Sequence, residues 1–65
     1  MNTKYVVKIR KMIYEFHTNS GCYNIKFLNR IDKKMRKFEI KGLLSYADFV
    51  ALQKEINKCY SKFRG

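Results

Sequence analysis

Seven bases and two acids fall between Lys26 and Lys41, the densest charge in the chain and its most evident chemistry. Phosphate contacts need long cationic side chains, and base edges need Arg, Asn or Gln beside a few apolar groups. Lys26, Arg30, Lys33, Lys34, Arg36, Lys37 and Lys41 supply the first, with Asn24 and Arg30 suited to the second. Lys8, Arg10 and Lys11 add bases near the N-terminus, and Lys54, Lys58 and Lys62 recur at i, i+4 spacing near the C-terminus. That last stripe has no Arg or Gln, so it is a second phosphate-tracking surface, a dock for an acidic protein, or the solvated face of a helix.

Other constellations carry less. His17 is the only histidine, and with Cys22 and Cys59 it makes three scattered ligands, too few for a zinc site. No metal or other cofactor is expected. Cys22 and His17 could meet across a turn as a thiol–imidazole pair, but no third residue orients the imidazole. The five carboxylates stand singly, and glycines at 21, 42 and 65 form no phosphate cradle. A chain of 65 residues forms one small domain, residues 1–65, with little to spare for an enclosed pocket. A non-enzymatic protein is expected.

The formal charge of +10 attracts phosphates, acidic proteins and anionic surfaces. Ten aromatics, six Ile and no Pro make a folding composition despite that charge. The longest apolar run, Phe49-Val50-Ala51-Leu52, is far short of the ~20 residues that span a bilayer. Lys8, Arg10 and Lys11 interrupt any secretory apolar core after Tyr5-Val6-Val7. Two cysteines fit a reduced, cytoplasmic protein better than a secreted disulfide scaffold.

The elements that must position these residues follow from hydrophobic spacing. Apolar residues tend to alternate from Lys4 to about Lys41 and recur at three and four from Ser45 onward, which predicts strands and then a helix. The cluster Thr18-Asn19-Ser20-Gly21 reads as a hairpin turn that sets Phe16 opposite Tyr23, Tyr14 opposite Ile25 and Met12 opposite Phe27. Tyr5, Val7 and Ile9 are out of phase with that set, so a β-bulge is expected near Arg10-Lys11. A second hairpin at Asp32-Lys33 pairs Phe27 with Phe38 and Ile25 with Ile40, and sets Lys26 opposite Glu39. Ser45 reads as an N-cap with Asp48 three residues on. The expected fold is α+β, a β-β-β-α arrangement with strands at about 4–17, 22–31 and 35–41 and a helix at about 46–63.

Such a sheet leaves one face open, with the bases of residues 26–41 on or beside it. Ile13, Leu28 and Met35 would lie exposed among them as an apolar interface. Cys22 would point outward and Cys59 toward the core. Gly21-Cys22-Tyr23-Asn24-Ile25 after the turn, and Lys41-Gly42-Leu43-Leu44-Ser45 leading into the helix, carry a resemblance. Over Gly21 to Ile56 the chain resembles the arm-binding DNA-binding domain of phage-type tyrosine integrases. The resemblance implies three strands and a helix, with the sheet in the DNA major groove and Lys26, Arg30, Lys37 and Lys41 at the contact. The expected function is nucleic-acid binding, to DNA or RNA, through the open sheet face. The alternative is a phage- or mobile-element-type inhibitor that binds an acidic or nucleic-acid-handling host protein through the same face.

Overall fold

The structure, a computed structural model, describes residues 3–63, and all regular structure within them is helical. Helix α1 spans Lys4–Thr18, α2 spans Ile25–Ile40 and α3 spans Tyr46–Ser61, with one 3-10 turn, Ser20–Cys22, between the first two. The three-stranded sheet is therefore absent among the described residues. So are its bulge at Arg10-Lys11 and its hairpin at Asp32-Lys33. Only the C-terminal helix stands where it was expected, ending at Ser61 rather than 63.

Helical spacing accounts for every buried helical position without a phase break, and Leu44 in the α2–α3 connection adds one more core side chain. In α1 the buried residues are Ile9, Ile13 and Phe16; in α2 they are Leu28, Ile31, Met35 and Phe38; in α3 they are Leu52, Ile56 and Cys59. Each set recurs at three and four, the stripe one helix face presents to a core. The bulge was needed only because a period near 3.6 drifts out of step with a period of two. Side chains assigned to the sheet core move outward in consequence: Ile40 is 80 % exposed, and Tyr14 and Val7 are exposed as well. Phe27 and Phe38 share one helix instead of pairing across strands, and the Phe38 ring packs against Tyr5 of α1 at 4.9 Å.

Local polar groups set the helix boundaries. The Asn19 side chain accepts a hydrogen bond from the Gly21 amide at 2.9 Å, turning the chain out of α1. Asn24 caps α2, accepting from the Phe27 amide at 2.8 Å while its own amide donates to the Gly21 carbonyl at 3.0 Å. Gly42, with φ 75°, ends α2. Its amide donates to the Glu39 carbonyl and that of Leu43 to the Phe38 carbonyl, the paired closure that wants glycine in the left-handed region. Ser45 caps α3 through its hydroxyl, which accepts from the Asp48 amide at 3.2 Å, as the sequence suggested.

Helix α2 packs against both neighbours, while α1 and α3 meet more sparsely. The aromatic end of the bundle is closed by Phe16, Tyr23 and Phe63 in mutual ring contact. Tyr60 of α3 donates from its hydroxyl to Asn29 Oδ1 of α2 at 2.6 Å, fixing the register of those two helices. No helix among the described residues is long and apolar enough to cross a membrane.

Candidate functional site

Helix formation divides the basic residues of 26–41 into groups that a strand would not have made. Arg30 is followed three and four residues on by Lys33 and Lys34, and these by Lys37 and then Lys41 at the same spacings, which stacks side chains along one flank of a helix. They surround one shallow depression of about 350 Å³, with Phe38 at its base and no carboxylate in its lining. Lys26 extends the row toward the N-terminus, where it shares a smaller depression with Arg30, Cys22 and Asn24. Sixteen helical residues rise about 24 Å, so this row is as long as α2 itself.

Arg36 borders an adjoining depression with Lys33, Lys37, Ile40 and Lys41, and the other predicted residues fall outside the row. Arg36 donates through Nε to Asp32 Oδ2 at 3.1 Å, an i, i+4 pair that neutralises it. Arg10 reaches across to α3 and pairs with Glu55 at 3.2 Å, with both side chains partly exposed. Lys8 and Lys11 are exposed on α1. Asn24 has both ends of its amide engaged in capping α2, so it holds the helix rather than facing a ligand. The expected apolar interface does not exist. Leu28 and Met35 are 0 % exposed and Ile13 is 7 % exposed, because all three lie on the inner stripes of their helices.

The lysine stripe at the C-terminus also separates. Lys54 borders an outer depression of α3 with Tyr46, Val50 and Lys58, while Lys62 lies toward α1 and Lys58 borders both sides. On the α1 side lies a cluster that the sequence reading missed. Cys59 Sγ lies 3.6 Å from His17 Nε2, and Lys62 Nζ lies 3.4 Å from His17 Nδ1. An ammonium can only donate, so the tautomer that accepts it at Nδ1 is the one that carries its proton on Nε2, facing the sulfur. Cys59 is buried, as expected, and burial pushes its thiol above the ordinary value. Neighbouring Lys62 opposes that shift and Glu55 adds to it. A nucleophilic cysteine needs a thiolate, and this environment keeps the thiol protonated. Cys22, which the hairpin would have put opposite His17, is half-buried at the α1–α2 connection. The signal for the true pairing was present: Glu55, Cys59 and Lys62 share a flank of the one helix the spacing did reveal. Its partner was hidden because His17 was assigned to a strand.

Tyr60 is the second polar group missed. Its hydroxyl is held above the usual phenol range by burial first, with Asp32 adding to the shift and Arg36 opposing it. Among the described residues no group of three or more His, Cys, Asp or Glu side chains could hold a metal ion. Compared with protein-family models, with curated proteins and with solved structures, the chain matches none.

Proposed function

We propose that the protein binds nucleic acid through the basic flank of α2, without performing chemistry on it. The observation that carries this reading is the depression lined by Arg30, Lys33, Lys34, Lys37 and Lys41 with no acidic residue among them. A row of cations along a rigid helix neutralises successive phosphates without ordering a loop, and releases condensed counterions as it does so. Arg30 is the one member able to donate two parallel bonds to a base or a phosphate; the lysines act as point charges. Exposed Tyr46 lies on α3, away from the row, and is not part of the site.

The alternative, an inhibitor that docks on a host protein, relied on an apolar centre formed by Ile13, Leu28 and Met35. Those residues are core, so that support is gone. An acidic protein surface remains an outcome of the test. Fluorescence anisotropy with labelled duplex DNA, duplex RNA and single strands, each titrated across a salt series, makes that test. Binding that weakens with a log–log slope of about −0.9 per phosphate contact on duplex DNA supports the reading. No binding at low salt refutes it and leaves the acidic partner in front.

A further inference from the structure

The α1–α3 seam holds a cleft of about 460 Å³ whose lining shares no residue with the basic row. That lies within the range of small-molecule sites. Buried Ile13 and Cys59 line it with exposed Tyr14 standing beside them; Lys58, Lys62 and His17 complete the lining with the Arg10–Glu55 ion pair. The cleft exists because α1 and α3 meet sparsely and because Tyr14, at 67 % exposure, stands out from the seam.

The charges in this lining do not cancel. Glu55 is already bound to Arg10. Among the described residues Lys62 reaches only the His17 ring, whose Nδ1 lone pair offers a hydrogen bond and no counter-charge. Lys58 has no carboxylate partner among the described residues, and it stands one helical turn before Lys62. Two uncompensated ammonium groups therefore border an apolar lining. We infer that the cleft binds a small amphipathic carboxylate. Its head group sits between Lys58 and Lys62, and its aliphatic or aromatic tail lies on Ile13, Tyr14 and Cys59. An inorganic anion would use the lysines and gain nothing from the apolar lining; a neutral alcohol would use that lining and leave both charges unanswered. The site is independent of α2, so it stands or falls separately from nucleic-acid binding.

Cys59 supplies the readout. The intact protein is titrated with octanoate, with 1-octanol and with inorganic phosphate. At each step amide chemical shifts and the labelling rate of both thiols are followed. Octanoate is expected to move resonances of Tyr14, His17 and Cys59 and to slow labelling of Cys59 relative to Cys22, with 1-octanol and phosphate much weaker on both counts. The double variant Lys58→Gln, Lys62→Gln is expected to bind octanoate roughly tenfold less tightly, the loss of a charge-assisted contact. Lys33→Gln on α2 is expected to leave octanoate binding unchanged. Equal protection by 1-octanol, equal shifts with phosphate, unchanged affinity in the double variant, or shifts confined to α2 would each overturn the assignment.

Discussion

Helices α2 and α3 have the same length, sixteen residues, and opposite electrical characters. Helix α3 carries Lys54 and Lys58 against Asp48 and Glu55, a net charge of zero. Its acid lies in the first turn and a lysine in the last, the arrangement that complements the helix dipole. Helix α2 carries six bases against two acids, a net of +4. It has no acid in its first turn, where Lys26 stands instead. Charge placed for helix stability looks like α3. Lys37 in the last turn of α2 suits the dipole, but Lys26 works against the N-terminus and the six bases repel along the helix, so this charge is not placed for helix stability alone. The contrast is the basis for the proposed assignment of binding to α2 rather than α3.

Core truncation breaks the comparison most severely. Leu28→Ala or Met35→Ala should cost about 2–5 kcal/mol, enough to unfold a domain this small. Ile40→Ala, at an exposed position, should change stability by less than about 0.5 kcal/mol. Urea melts followed by circular dichroism distinguish this from a sheet, in which Ile40 would be core and Leu28 would face solvent.

The caps come next. Asn24→Ala should cost about 1 kcal/mol, or more than Ser45→Ala because Asn24 makes two hydrogen bonds where the Ser45 side chain makes one. A larger loss at Ser45 in the same melts would show that α3, not α2, depends more on its cap. The link between the two helices is smaller again. Tyr60→Phe removes the bond to Asn29 and should cost ~0.5–1.5 kcal/mol.

Smallest is the Cys59 thiol. Its raised value means the unfolded chain loses that proton first, so its stabilising contribution is intact below about pH 9. Above that the contribution fades as pH rises through the folded value. Alkylation rates measured against pH should show Cys22 reacting ahead of Cys59 throughout. Faster labelling of Cys59 would mean the α1–α3 seam opens in solution.

Part of this was legible before the structure. Ser45, Asp48 and the stripe Leu52, Ile56 and Cys59 marked α3 because a capping pattern and a three-and-four spacing agreed there. The hairpin expected at Thr18–Gly21 is instead the end of α1 and a 3-10 turn, because Asn19 and Asn24 join helices as readily as strands and the turn residues said nothing about what they join. Residues 4–41 misled because apolar residues on both faces of α1, such as exposed Val7 and Tyr14, fill in a false alternation. Two clues pointed the other way: the phase break at Arg10-Lys11, and a supposed turn at Asp32-Lys33 that contained no glycine. The basic residues were recognised by type. Which of them share a surface depended on the helical period, and for that reason Arg10 separates from the row, Arg36 is tied to Asp32 at its edge, and Ile13, Leu28 and Met35 become core.

The central claim concerns where a polyanion sits, and matched charge reversals on the two faces test it. One variant carries Arg30→Glu, Lys33→Glu and Lys37→Glu on α2; the other carries Lys54→Glu, Lys58→Glu and Lys62→Glu along α3 and just beyond it, an equal change in net charge. Each replaces exposed side chains, so both should remain folded by circular dichroism. Anisotropy with duplex DNA at one low salt concentration should show binding abolished or weakened at least about a hundredfold by the α2 variant. The α3 variant should weaken it only by the few-fold expected of lost long-range attraction. Equal losses in the two variants, or a larger loss from the α3 variant, would contradict the account.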